Sequence, residues 1–465
     1  MTTRAAAGPA AGRDRPPWYR PFSVLDELNC YFDSPAEPNN VQLEVWLSGH
    51  LSPERLRAAV AAVLAAVPEV RARRAAGAWW RARYAWEFPP EADIDPVSVT
   101  AWRSDAELDA ARTRFLAAAP ELDRSPPFRL LLAQGPGQDS LILNAHHAAF
   151  DGRSCVRLLS LIAGRYSGGR YSGGEPRESP DPADAARPHP EPRPRSEPRS
   201  AARPRLPPFR HAARIAPQHT PGHAPRGGAR GAPGYGFTML GWPGIPAAPP
   251  LPAGESRVTV NDLLITALMQ TVTRWNAARR GRPGQVRISM PIDTRPPGHD
   301  HELGNLTRLC TVSADPLPAD SLTATVARRS RQAKSTPGPA VSPLQAAVAR
   351  TRLPLPVKRG LLRLALRSLG GIGCDTSLLS NLGNVTDPPV FGMLSPTRMW
   401  FSTSAHMPRG LSVGAITVGG RLHLCFRYRN ALFDDAAARE FAAGYAAALT
   451  ALAATTDATA AETGR

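Results

Sequence analysis

Apolar residues recur along this chain in two rhythms, one of period two and one near 3.6, and their order predicts a mixed α/β fold. Val41-Gln42-Leu43-Glu44-Val45-Trp46-Leu47 alternates apolar with less buried positions as a strand does, Trp46 being the one break in polarity. Ser52 then offers an N-cap and Pro53 a first-turn proline, Leu56, Val60, Val63, Leu64 and Val67 follow at helical spacing, and Pro68 ends the helix. Strands are predicted around 79–86 and 128–133. The apolar run Leu141-Ile142-Leu143 leads into a pair of histidines, after which a helix from near Ser154 carries Val156, Leu159, Ile162 and Ala163.

From about 168 to 233 the periodicity vanishes, and Pro, Arg, Gly and Ser dominate, as in Pro192-Arg193-Pro194-Arg195. Such a stretch buries too little apolar surface to offset its ordering entropy, so it reads as a mobile spacer. Order returns near Val258. Asn261-Asp262 caps a helix with Leu264, Ile265, Leu268, Val272 and Trp275, and 286–290 reads as a buried strand leaving through Pro291-Ile292-Asp293-Thr294-Arg295-Pro296. The span 357–369 is helical, with Arg359, Arg363 and Arg367 along one face and leucines over much of the rest. That pattern suits a greasy tunnel lining or a membrane-surface helix, and the preferred reading is an ordinary half-buried helix. Strands at 412–418 and 422–428 and a helix from Asp434-Asp435 through Leu449 close the chain.

At 465 residues, 42% of them hydrophobic, the chain exceeds what one core usually organises. Two lobes are expected, at 18–167 and 234–452, with a flexible leader at 1–17, the linker at 168–233 and a flexible tail at 453–465. The formal charge of +17 suits an anionic partner, whether nucleic acid, a membrane surface, a phosphate-bearing cofactor or an acidic carrier protein. Thirteen arginines face six acidic residues between Arg165 and Arg230, and the wider richness in Ala, Arg, Gly and Pro points to coding bias as much as to a ligand. No nucleic-acid reading motif is present. Five well-separated cysteines without a C-x-x-C pair argue against a disulfide framework or a zinc site and suit the cytoplasm. Neither a signal peptide nor a transmembrane span is expected.

The chemistry gathers in His146-His147-Ala148-Ala149-Phe150-Asp151-Gly152. Adjacent side chains at a strand end point to opposite sides, so the two histidines are poorly placed to share a metal. A neutral imidazole instead suits a base that takes a proton from a hydroxyl or amine and returns it to a leaving group. Gly152 is expected to allow a tight turn and Asp151 to fix it.

This HHxxxDG segment resembles the condensation-domain and chloramphenicol-acetyltransferase-like acyltransferase superfamily. The likeness extends to Leu51-Ser52-Pro53-Glu54-Arg55-Leu56, Val260-Asn261-Asp262-Leu263-Leu264, the 291–296 segment with Gly304-Asn305 after it, Ser380-Asn381-Leu382-Gly383 and the strand pair within 411–429. The resemblance implies two α/β lobes in a V with a tunnel between them, completed within a monomer. It implies His147 as general base, His146 as structural, and Asp151 paired with Arg295 across the lobes. Ser380 or Asn381 would donate to the oxyanion or serve only to start a strand. No bound cofactor is implied. The donor is an acyl-CoA or a phosphopantetheine-linked acyl group, with an acyl or peptidyl carrier protein as partner, and the acceptor is a small molecule. The intact histidines argue against the heterocyclising branch, whereas the epimerising branch shares the motif. The competing expectation is a catalytically idle scaffold that docks an acidic carrier protein.

Overall fold

The computed structural model describes residues 17–169, 211–219, 234–246, 258–281, 284–336, 343–369 and 374–463. The first half runs β1 (Trp18–Pro21), α1 (Val24–Phe32), β2 (Asn40–Leu47), α2 (Pro53–Ala66), β3 (Arg73–Arg74), β4 (Ala85–Phe88), β5 (Val97–Ala101), α3 (Asp105–Leu116), β6 (Phe128–Gln134), β7 (Asp139–His146) and α4 (Gly152–Tyr166). The second runs β8 (Tyr235–Trp242), α5 (Val260–Ala278), β9 (Val286–Asp293), β10 (Thr307–Ala314), α6 (Ala319–Ser335), α7 (Pro343–Arg350), α8 (Leu355–Leu369), β11 (Ser377–Asn384), β12 (Pro396–Thr403), β13 (Leu411–Val418), β14 (Arg421–Arg429) and α9 (Asp435–Thr463).

Two sheets organise the lobes, one of five strands in the order β12-β2-β7-β6-β5 and one of six in the order β10-β9-β11-β13-β14-β8. In the first, β2 lies antiparallel between β7 and β12, with Asn40 opposite His146 and Val41 opposite Thr403. Its apolar face joins a core with Leu56 and Val60 of α2 and Leu158 and Leu159 of α4. The alternation in β2 predicts a less buried face, yet all eight residues are buried. The polar face is covered by charge pairing. Arg112 of α3 donates to both carboxylate oxygens of Glu44 at 2.6 and 2.7 Å, and Ser140 and Trp46 each donate to the same carboxylate at 2.9 Å. Burial alone would raise the Glu44 pKa, but the Arg112 guanidinium and these donors outweigh it and hold the carboxyl below its usual range.

The second lobe packs α5 and α9 on the six-stranded sheet around Leu263, Leu268, Val413, Phe426 and Phe441. Several boundaries differ from the sequence reading. Thr259, not Asn261, caps α5, in a reciprocal capping box with Asp262. The strand expected at 79–86 forms instead at 85–88, with Trp79 and Trp80 in an exposed turn. Residues 211–219, inside the expected linker, carry Ala213 and Ile215 into the second core. Helix α9 extends to Thr463, through most of the expected tail. The rest of the linker, apart from 168–169, and residues 1–16 lie outside the described residues.

One departure matters for the site. Strand β12 lies in the sequence of the second lobe, yet it pairs in the first lobe's sheet, with Met399 and Phe401 in the first core. Gly414 of β13 lies beneath this crossing, and a Cβ there would sit 1.9 Å from the carbonyl oxygen of Phe401. The obstacle is backbone, so no rotamer change relieves it. Gly414→Ala is expected to cost more than ~2 kcal/mol, read as a lowered thermal unfolding midpoint. Gly164→Ala, in α4 with open space around the added methyl, is expected to leave the midpoint unchanged or raise it.

Candidate active site

The histidine segment is the turn from β7 into α4. Its backbone closes on His146, whose carbonyl accepts from Ala149 N at 3.0 Å and Phe150 N at 3.1 Å. The two imidazoles have different surroundings. His146 is buried; its Nδ1 accepts from Ala148 N at 3.0 Å, leaving the ring proton on Nε2, which faces Asp33 Oδ2 at 3.7 Å. Both ring nitrogens of His146 thus face groups of the fold. Asp33 is held below the usual carboxylate range: burial pushes it up, but His146 and the Asn39 amide pull it down further.

His147 is half-buried, and its main chain is tied from both halves of the protein. Its amide donates to Asn39 O at 2.9 Å, and its carbonyl accepts from Asn305 Nδ2 at 2.8 Å. Burial pushes its pKa below 6.5, against the opposing pull of its own carbonyl, the Asp151 charge and the Phe150 carbonyl. This shift favours the neutral imidazole. Its Nδ1 is buried without a well-aligned hydrogen-bond partner.

Asp151 caps α4, which begins at Gly152, two residues ahead of the expected start at Ser154. Its Oδ1 accepts from Ser154 N at 2.8 Å and Arg295 Nη2 at 3.1 Å, its Oδ2 accepts from Leu306 N at 2.9 Å, and Arg295 Nη1 forms an ion pair with Oδ2 at 3.0 Å. Both side chains are 1% exposed. Arg295 also reaches Asp293 Oδ1 at 2.9 Å, Glu302 O at 3.0 Å and Ser154 Oγ at 2.8 Å. Burial opposes its charge, but Asp151 and Asp293 outweigh that and raise its pKa above the ordinary arginine value. The expected pair across the lobes is present, within a larger network.

Three participants were not anticipated. Ser154 Oγ donates to Gly304 O at 2.7 Å and accepts from Gly304 N at 3.0 Å. Gly304, at φ 144°, adopts a backbone open chiefly to glycine, and its carbonyl also accepts Asp151 N at 3.1 Å. Asn305 reaches the His147 carbonyl. The Gly304-Asn305 pair is visible in the sequence, but nothing local says what it touches.

The reason for Gly152 differs from the expected one. Its φ is not positive, and it begins a regular helix. A Cβ there would meet Leu382 Cδ2 at 2.6 Å and Phe401 Cε2 at 2.7 Å, so the glycine permits close approach of β11 and β12 to α4. Leu382 thus brings the end of β11 to the motif. Ser380 is buried two residues earlier on that strand. Asn381 Oδ1 accepts from Gly383 N at 2.9 Å where the pairing with β13 becomes irregular, a strand-shaping role. Among the described residues no hydrogen bond joins either residue to His147.

Two lobes with a histidine turn clasped between them define the class. The fold matches the first condensation domain of the calcium-dependent antibiotic synthetase, solved with a substrate analogue, at a TM-score of 0.63 and 15% identity, covering 94% of this chain and 97% of that one. It also matches the SgcC5 protein from Streptomyces globisporus, solved with (R)-(-)-1-(2-naphthyl)-1,2-ethanediol and sucrose, at a TM-score of 0.56 and 15% identity, covering 94% and 99%. The architecture is that of condensation domains, with two chloramphenicol-acetyltransferase-like lobes. In sequence, the uncharacterized protein Rv2305 of Mycobacterium tuberculosis is 31% identical over 436 residues, 91% of this chain and 97% of the relative. The chain belongs to the same family as that mycobacterial protein. No protein-family model matches it.

Arg295→Ala would strand the Asp151 carboxylate in a buried site, and is expected to cost ~3–5 kcal/mol in chemical denaturation. Asp151→Ala combined with Arg295→Ala should cost less than the sum of the single changes, since each partner removes the other's reason to be buried.

Proposed function

We propose that the protein transfers an acyl group from a thioester, either acyl-CoA or a carrier-bound acyl phosphopantetheine, to a hydroxyl or amine of a small-molecule acceptor in secondary-metabolite or lipid biosynthesis. The observation that carries this reading is the His147 imidazole, neutral and only half-buried, on a backbone fixed by Asn39 from one side and Asn305 from the other. With the ring proton on Nδ1, Nε2 presents its lone pair as the base.

As the acceptor oxygen or nitrogen attacks the thioester carbonyl, Nε2 takes its proton and a tetrahedral oxyanion forms. Collapse breaks the carbon–sulfur bond, and the imidazolium returns the proton to the departing thiolate. The step needs no further reactant. Thioesters carry a good leaving group, so orientation plus one base suffices. Ser380 and Asn381, on the strand that reaches Gly152 through Leu382, are the proposed donors to the oxyanion or substrate. A tunnel between the lobes would admit donor and acceptor from opposite sides. The diol bound by SgcC5 favours a hydroxyl acceptor. His147, Asp151 and Arg295 all come from one chain, which suits a monomer, and five free thiols suit the cytoplasm.

His147→Ala is expected to abolish ester or amide formation from labelled acyl thioesters while preserving the melting curve; normal turnover by that variant would refute the base. Protonated His147 cannot accept a proton, so activity should fall on acidification through a pKa below 6.5 and be flat above it. An acid limb centred at or above 6.5 would contradict the assignment. Absence of turnover with every donor, together with salt-sensitive carrier binding that survives His147→Ala, would favour the idle scaffold.

A further inference from the structure

Large apolar side chains are exposed together on two segments that touch. Trp79 and Trp80, in the turn before β4, are 69% and 63% exposed and stack edge to face with centroids 5.8 Å apart. In α8, Val357, Leu361 and Leu364 are 45%, 44% and 61% exposed, and Leu353 just before the helix is 39% exposed. Positions 357, 361 and 364 form one helical stripe. A different stripe, Leu355, Lys358 and Leu362, is buried, with Leu355 and Leu362 packed on Leu28 and Tyr31 of α1. The two segments are tied by Leu355 N donating to Arg81 O at 3.0 Å and Lys358 Nζ to Ala82 O at 2.5 Å. A half-buried helix accounts for the second stripe and leaves the first unexplained.

Residues 79–83 and 350–369, which build this surface, carry eight lysines and arginines and no aspartate or glutamate; Lys358 among them is buried against Glu27. Arg81, Arg83 and Arg352 are exposed. The chain's own 170–210 stretch, with nine arginines against six acidic residues, has the wrong sign to neutralise them.

We propose that this surface docks on an anionic lipid bilayer. Indoles settle at the headgroup level, the valine and leucines reach the acyl boundary, and the arginines pair with lipid phosphates. No helix among the described residues is long and apolar enough to cross a membrane, so the association is peripheral. Docking would place the enzyme beside amphipathic substrates, and it is independent of the chemistry at His147.

The test is co-sedimentation of the full chain with phosphatidylcholine vesicles and with mixed phosphatidylcholine–phosphatidylglycerol vesicles. The protein should partition onto the mixed vesicles, much less onto the neutral ones, and progressively less as salt rises. Trp79→Ser/Trp80→Ser and Leu361→Gln/Leu364→Gln should each lower partitioning by about tenfold or more, with circular dichroism and melting unchanged. His147→Ala should bind as the unaltered protein does. Equal partitioning onto both vesicle types, or partitioning unaffected by both double variants, would overturn the proposal. So would a wild-type dimer, or wild-type binding to an acidic carrier protein, that the two double variants abolish while vesicle binding is absent.

Discussion

The carboxylate of Asp151 accepts three hydrogen bonds in the protein interior, from Arg295 Nη2 and the amides of Ser154 and Leu306, and forms an ion pair with Arg295 Nη1. A buried ion of this kind costs several kcal/mol in lost hydration unless its oxygens are met, and here each oxygen faces two N–H groups. Three of these four groups come from the second half of the chain. The carboxylate caps α4, so the second lobe sets where that helix begins. It therefore sets the turn that carries His147.

A second seam holds the same helix. β12 leaves the second lobe to complete the first sheet, passes over Gly414, and presents Phe401 to Gly152 at the start of the same helix. The motif is thus held by ionic hydrogen bonds on one side and by close apolar contact on the other. Neither seam involves the His147 ring. The ring is left to be tuned by burial, while the neighbouring His146 is locked by Ala148 and Asp33. The two lobes act on the proposed base through its backbone.

Much of this was legible in the sequence. Apolar periodicity marked β2, α2, β7, α5 and the final hairpin, because those elements bury a face whose spacing is a local property. The motif and its likeness to a known superfamily identified Asp151 and Arg295 as partners 144 residues apart. What escaped was non-local. A periodic pattern shows that a strand exists but not which sheet it joins, so the crossing of β12 had no local signal. The polar face of β2 looked less buried because Arg112, which covers Glu44, lies 68 residues away. Gly152 looked like a turn residue because close approach and backbone freedom leave the same mark, a missing Cβ. Asn305 and Ser154 act through main-chain atoms of distant residues, which residue type alone does not reveal.

The claim on which the rest stands is that burial between the lobes keeps His147 as a neutral imidazole with its lone pair on Nε2. Nitrogen-15 NMR of histidine-labelled protein, with His147→Gln to assign the signal, reads both properties. The account predicts a titration midpoint below 6.5 and, above it, a single neutral tautomer protonated on Nδ1. A His147 ring still charged at neutral pH, or one whose neutral form carries its proton on Nε2, would contradict it.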